Sequence, residues 1–226
     1  VKEVLHAALG RVPYRSVWAL QRRLAQLRRG GHIPDVLLSL EHEPVITVGR
    51  QGGAGHVLAP PEVLDRLKVE VVEVERGGDV TYHGPGQLIL YPILDLRDHG
   101  RDLRRYVASL EEVMIRTAAR FGVEAHRRPG FPGIWQGLKK LGSVGVYVRG
   151  WVTMHGLALN VDLSPNLFSL IVPCGLHGVE AASLAELAGQ PIPLEEARAT
   201  ALEEFARVFC VQLTPLGREA LDRWGA

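Results

Sequence analysis

Between positions 76 and 87 the chain reads Arg-Gly-Gly-Asp-Val-Thr-Tyr-His-Gly-Pro-Gly-Gln, four glycines and a proline set between two strand-like runs. Glycine admits positive φ and close backbone approach, while proline fixes φ and removes a donor, so a defined, non-repetitive, ligand-facing shape is expected here. A glycine-rich loop first suggests a phosphate cradle. Two features speak against that: there is no Gly-Lys-Ser/Thr ending, and the next stretch, Gln87 to Leu96 (QLILYPILDL), reads as a buried strand rather than a helix whose N-terminus would hold an anion. The same succession constrains the fold. Strands and helices do not alternate as βαβ units, which predicts an α+β fold with a mixed, largely antiparallel sheet flanked by helices rather than a doubly wound parallel sheet.

The remaining periodicities fill in that plan. Val17, Leu20, Leu24 and Leu27 recur at helical spacing between Ser16 and Arg29, so an amphipathic helix is expected to open the fold, stopped by Gly30-Gly31. Val36 to Leu40, Val45 to Val48, Val69 to Glu75 and Gln87 to Leu96 read as four early strands. A long helix is expected from Asp102 to Phe121, with Tyr106, Leu110, Val113, Met114 and Thr117 on one face. Leu141 to Val148 and Val152 to Leu163 read as a hairpin turning near Arg149-Gly150-Trp151, and Phe168 to Val172 as another short strand. Pro193 to Cys210 predicts a third helix, and Thr214-Pro215 the cap of a last one running to about Trp224. One domain over 1–226 is expected, its C-terminal helical segment, about 193–226, packed on the rest.

Composition excludes more than it identifies. Lys and Arg number 26 against 25 Asp and Glu, a formal charge of +1, which argues against a dedicated nucleic-acid binder. Two cysteines without CxxC spacing and nine histidines without HExxH give neither a disulfide framework nor a zinc motif, so no metal or cofactor is expected. The start, VKEVLHAALGRV, is too short and polar for a signal peptide, and no run of about 18 apolar residues exists to span a bilayer. The expectation is a soluble, cytoplasmic protein without membrane partners, and a monomer.

Cys174 lies in Ile171-Val172-Pro173-Cys174-Gly175, where an apolar run meets a Pro/Gly-flanked turn that would display a thiol. Cys210, ending a helix near Phe205 and Phe209, reads as core packing. Lys140 begins Lys140-Leu141-Gly142-Ser143-Val144-Gly145, a strand start with small residues that leave room for a ligand. A thiol of pKa about 8.5 is roughly 3% thiolate at pH 7, and an adjacent ammonium that lowers it to about 7 raises this some fifteen-fold. A Lys/Cys dyad is thus a sensible nucleophile. His177 offers a Cys/His alternative within the same turn, which is a less favourable arrangement. His83 and His155, each before a glycine, are polar candidates or satisfied semi-buried histidines; Asp95, Asp98 and Asp102 read as cap and surface charges.

These residues fall in an ordered set. Glu41-His42-Glu43-Pro44-Val45 with Thr47 and Gly49, Arg76 to Gln87 with Tyr91-Pro92, Lys140 to Gly145, His155 to Val161 and Pro173-Cys174-Gly175 succeed one another over roughly positions 36 to 185. In this set the chain resembles the lipoyl(octanoyl) transferases, octanoyl-[acyl carrier protein]:protein transferases of lipoate synthesis. The resemblance implies the α+β fold shared with lipoate and biotin protein ligases. It implies an acyl-thioester nucleophile at Cys174, and a lysine at Lys140 that lowers its pKa and serves as acid and base in both half-reactions. Substrate contacts are implied at Arg76, Gly77, Gly78, Asp79, Val80, Thr81, Tyr82 and His83, at Ser143, Val144 and Gly145, and at Gly156, Leu157 and Ala158. The implied donor is octanoyl-acyl carrier protein. The implied acceptors are lysines on lipoyl domains of 2-oxoacid dehydrogenase E2 subunits and on the glycine cleavage H protein, with no ATP required. Tyr82, Val144, Leu157, Gly145 and Gly156 are candidate walls of an acyl slot, and Arg127, Arg128, Lys139 and Arg149 candidate docking charges for the carrier. Gly142 and Ala182 depart from the family, which usually has alanine and threonine there.

Overall fold

The computed structural model describes residues 2–172 and 179–225. Its strands are β1 (Lys2–Val12), β2 (Val36–His42), β3 (Val45–Val48), β4 (Glu70–Glu73), β5 (Val80–His83), β6 (Gln87–Ile93), β7 (His126–Arg128), β8 (Phe131–Gln136), β9 (Lys139–Arg149), β10 (Val152–Asn160) and β11 (Val211–Pro215). The helices are α1 (Tyr14–Arg29), α2 (Pro61–Leu67), α3 (Leu103–Arg120), α4 (Leu184–Ala188), α5 (Leu194–Phe209) and α6 (Arg218–Gly225). Eight strands form one sheet in the order β11-β1-β2-β6-β10-β9-β8-β7, and β4-β3-β5 form a second, smaller one. In the large sheet β11, β1 and β2 run parallel and every other neighbour pair is antiparallel, so the sheet is mixed as the sequence predicts.

The apolar run of β6 is explained by burial on both faces. Leu88 and Leu90 point, with Leu157 and Leu159 of β10, into a core completed by Tyr106, Leu110 and Met114 of α3 and Phe205 of α5. Ile89, Tyr91 and Ile93 point the other way, into a core shared with Val17 and Leu24 of α1 and Leu221 of α6. Each such side chain, taken fully from water, contributes about 1.5–3 kcal/mol. Helices therefore cover both sheet faces because the period of two leaves neither face polar. Asp102 starts α3 as a true N-cap, its Oδ1 accepting from the N–H groups of Arg104 and Arg105 at 2.8 and 3.1 Å.

Four local expectations are corrected. The fold opens with β1, not α1, because Lys2–Val12 gains its hydrogen bonds from strands remote in sequence. Phe168 to Val172 is not a strand: Pro165–Leu170 winds as a 3-10 turn, and only Ile171 bridges, to Val57. Thr214-Pro215 does not cap a helix but ends β11, which pairs with β1 and brings the C-terminal segment into the large sheet. Asp95 is buried at 2% exposure, paired with Arg97 and Arg28, rather than a surface charge.

The glycine-rich segment is where the chain leaves the small sheet for the large one. Gly86 turns between β5 and β6 with φ +87°, and its carbonyl accepts from the N–H groups of Val161 and Asp162, each at 3.0 Å. A Cβ at Gly86 would lie 2.4 Å from the Asp162 carbonyl oxygen. Gly86→Ala is expected to cost about 2 kcal/mol, a fall in Tm of roughly 4–8 °C for a chain of this size, measured by calorimetry. Gly53→Ala, which meets nothing within 4 Å, is the control and should leave Tm nearly unchanged.

Candidate active site

A small cavity of about 50 Å³ opens where the two sheets converge. Its floor comes from the β9–β10 hairpin. Ser143 lies opposite Ala158, Val144 opposite Leu157 and Gly145 opposite Gly156 in antiparallel register, so the two candidate triplets are one patch of sheet. Two facing glycines leave that patch bare at its centre. A Cβ at Gly156 would stand 2.2 Å from the Leu90 carbonyl oxygen, and one at Gly145 3.1 Å from Arg76 Cδ, so neither position has room to spare.

The opposite wall comes from the segment leading into and through β5. Arg76, 7% exposed, donates from Nη2 to the carbonyl and hydroxyl oxygens of Thr47 at 2.7 and 2.8 Å and from Nη1 to the Gly77 carbonyl at 3.1 Å. Gly49 makes this possible, since a Cβ there would lie 2.8 Å from Arg76 Nη1. Asp79 is held by the His56 ring at 2.7–2.9 Å and by the N–H of Val80 at 2.8 Å, which makes it a fastening of the loop. Gly78, Val80, Thr81 and His83 complete this wall.

Lys140 enters from the start of β9. Its side chain is 5% exposed; Nζ donates to the Pro132 carbonyl at 3.3 Å and sits 5.1 Å from the centre of the Trp135 ring. Its backbone is paired on both sides. Trp135 of β8 is its partner on one, and on the other its N–H donates to Glu180 O at 2.8 Å while its carbonyl accepts from Ala182 N–H at 2.9 Å. Cys174 and the alternative partner His177 lie outside the described residues. The nearest described positions are Val172, whose N–H donates to His56 O at 2.8 Å, and Val179 to Ala182, the last of them beside Lys140.

Behind the cavity lies a cluster of rings: Tyr14, His42, His83, Tyr91 and His155, with neighbouring centroids 5.0–6.2 Å apart. His42 Nδ1 donates to the Val12 carbonyl at 3.1 Å, so its Nε2 accepts from the Tyr91 hydroxyl at 2.9 Å. His155 takes a left-handed backbone with φ +59°, its N–H donating to Gln21 Oε1 at 2.7 Å, with Nδ1 3.5 Å from the Tyr14 hydroxyl and Nε2 3.8 Å from Glu75. Burial pulls all three imidazoles down. His42 falls to about 4, against the opposing pull of the Val12 carbonyl. His83 lies well below its ordinary value, pushed further by the charges of His42 and Arg76. His155 is lowered by burial although Glu75 opposes this. Burial would raise the Glu75 carboxyl, but His155 and Arg22 outweigh it and hold the group at about 2.

Of the residues expected in the site, Gly77 and Tyr82 are not in the cavity wall. Gly77 ties the loop to β9 through its N–H and Val146 O at 2.8 Å. Tyr82 is fully buried and turned by the strand's alternation into a separate core against Phe168. Tyr14, Tyr91 and His155 do line the cavity, and only His155 was among the sequence candidates. Two other expectations change. Cys210 is exposed: it closes α5 with φ +53°, and its thiol donates to the Arg207 carbonyl at 3.6 Å. Arg127, itself exposed, and Lys139 are engaged by Glu111, Glu112 and Glu186, Arg128 lies over the rings of Phe131 and Trp135, and Arg149 is exposed. Among the described residues there is no metal-binding cluster and no helix long and apolar enough to cross a membrane.

Residues 13–206 match the family model described as the lipoyl protein ligase A/B catalytic domain. A protein named Octanoyltransferase from Caldicellulosiruptor bescii is 46% identical over 215 residues, covering 94% of each chain. One of the same name from Geobacter metallireducens is 48% identical over 199 residues, covering 87% of this chain and 89% of its own. Among solved structures, lipoate-protein ligase A bound with ATP superposes with a TM-score of 0.79 at 14% identity, over 99% of this chain and 92% of that one, a likeness of fold.

The depressed histidines set an acid limit on stability. Between 6.5 and about 4 the unfolded chain takes a proton on His42 that the folded chain refuses, so stability is full above pH 6.5 and falls as pH drops towards 4. His42 alone accounts for roughly 3 kcal/mol over that window, with His83 and His155 acting in the same direction. Glu75, held at about 2, withdraws its contribution only below its ordinary value of 4.5. Thermal melts should therefore show Tm falling between pH 6.5 and 4.5, before the carboxylates titrate, and His42→Gln should flatten the slope; a level Tm across that window would contradict this.

Proposed function

The chain belongs to the lipoyl protein ligase A/B catalytic domain family, and we propose that within it the protein is an octanoyltransferase acting in protein lipoylation. Octanoyl passes from the thioester of an acyl carrier protein to Cys174, then to the ε-amine of a lysine on a lipoyl domain. The observation that carries this reading is Lys140, buried at a cavity floored by Val144, Leu157 and Ala158 and paired by its backbone to Glu180, Ala181 and Ala182, a few residues after Cys174 in the chain. Identity of 46% across 94% of both chains with a protein named Octanoyltransferase supports the same activity.

The chemistry fits these groups. Exchange of one thioester for another runs near equilibrium and needs no nucleotide; aminolysis to an amide is downhill and pulls the sequence forward. An ammonium beside Cys174 raises the thiolate fraction and can protonate the leaving thiol. The eight-carbon chain needs an apolar slot, and burying about six methylenes at roughly 0.8 kcal/mol each gives some 5 kcal/mol to select long from short acyl groups. Acceptors are lysines on lipoyl domains, including those of 2-oxoacid dehydrogenase E2 subunits and the glycine cleavage H protein.

Intact mass spectrometry after rapid quench, with octanoyl-carrier protein and no nucleotide, tests the reading. The wild type should gain one octanoyl group, Cys174→Ala should gain none, and Lys140→Ala should acylate on the order of ten-fold more slowly as its thiolate fraction falls. A wild type that gains no octanoyl, or gains it only when ATP and free octanoate are supplied, would reject the covalent transferase route.

A further inference from the structure

We propose that the buried Glu111 carboxylate is a positioning residue for Lys140, acting through the single peptide that joins Pro132 to Gly133. The positioning stands on geometry alone, and its consequence for turnover rests on the transferase reading.

Glu111 is a carboxylate with no part in the acyl-transfer chemistry. It projects from α3 at 8% exposure, where a charge whose oxygens went unmet would be costly. One oxygen, Oε2, lies 3.3 Å from Arg127 Nε. The other, Oε1, accepts the Gly133 N–H at 2.9 Å. Gly133 takes φ +123°, and a Cβ there would stand 2.2 Å from the Gly142 carbonyl oxygen, so only glycine can present its N–H in this way.

The Pro132 carbonyl belongs to the same peptide, and it accepts from Lys140 Nζ at 3.3 Å. No peptide bond among the described residues is cis, so the N–H and C=O of this one point in opposite directions. The carboxylate therefore lies at one end of the peptide and the ammonium at the other. An anion on the donor side and a cation on the acceptor side polarise the peptide in the same sense, and each strengthens the other's hydrogen bond. Glu111 fixes where the carbonyl points, and the carbonyl fixes Nζ.

Register brings the ammonium to that carbonyl. Strands β8 and β9 pair Gly133 with Ser143 and Ile134 with Gly142, then slip by one residue, so that Lys140 lies opposite Trp135. Bulges of this kind re-aim a side chain. Here Lys140 lines the cavity together with Ser143 and Gly145, its Nζ 5.1 Å from the centre of the buried Trp135 ring. A ring face attracts a cation without closely choosing its direction, and the Pro132 carbonyl supplies that direction.

Amide spectra test the coupling without any turnover. The Gly133 amide proton should move upfield in Glu111→Gln, which keeps an oxygen for the N–H but loses the charge. It should also move upfield in Lys140→Met, although Lys140 does not touch that N–H, and the Pro132 carbonyl carbon should shift in both variants. A carboxylate that merely anchors β8 leaves Gly133 unmoved in Lys140→Met, and that result would overturn the proposal. In turnover, octanoyl transfer from carrier protein to a lipoyl domain should lose about ten-fold in kcat in Glu111→Gln, the worth of one charge-assisted hydrogen bond, with the carrier KM within about two-fold of wild type. Glu112→Gln, which removes the neighbouring carboxylate, should keep the wild-type kcat. A Glu111→Gln variant at wild-type kcat, or a Glu112→Gln variant equally slow, would overturn the proposal. A wild type that transfers no octanoyl would instead bring down the transferase reading, and the spectra would still decide the positioning.

Discussion

The Arg76 guanidinium is withdrawn almost entirely from water where the two sheets meet, and its position depends on what surrounds it. A buried charge is costly unless its donors are met, and Thr47 meets several of them through two oxygens of one residue. The guanidinium also needs volume. Gly49 and Gly145 supply it, one in the small-sheet loop and one in the large sheet, each with too little clearance for an ordinary side chain. Sheet, loop and charge are therefore fixed together, and the cavity is the space left beside them.

That charge also governs the rings behind it. A cation nearby, added to burial, favours neutral His83 and His155. Neutral rings have distinct nitrogens, and the amide chain from Ala182 through Asn160 and Gln87 determines which one is protonated in His83. Ala182 is also the residue whose N–H pairs with the Lys140 carbonyl. The backbone beside Lys140 and the polarity of His83 are thus set by one peptide segment, so a shift in that segment would disturb both at once.

Much of this was legible from residues near one another in the chain. The helix α3, its Asp102 cap, the β9–β10 hairpin and the buried run of β6 announce themselves by period and by turn composition. The small triplets on β9 and β10 came from the family resemblance rather than from local pattern, and their direct opposition required the register. What stayed hidden depends on distant partners. Strand β1 is held by β2 and β11, and its own sequence carries no clear alternation. Tyr14 opens a helix with nothing local to mark it as a wall of the cavity. Tyr82 misled because alternation along a four-residue strand sends successive side chains to opposite faces, and the glycine-rich context does not say which face is the cavity.

The lining that results is electrically one-sided. Its described side chains include two cations, Arg76 and Lys140, and one carboxylate, Asp79, which His56 and a backbone N–H already engage. With the histidines neutral, the described lining carries an excess of positive charge. Such a cavity favours whatever becomes negative within it, and in acyl transfer that is the tetrahedral oxygen. The apolar floor beneath raises the effect by keeping water, and its screening, away from the reacting atoms. A chain that buried a cation between its sheets for the sake of its loop would gain by the same arrangement a field suited to stabilising an anion.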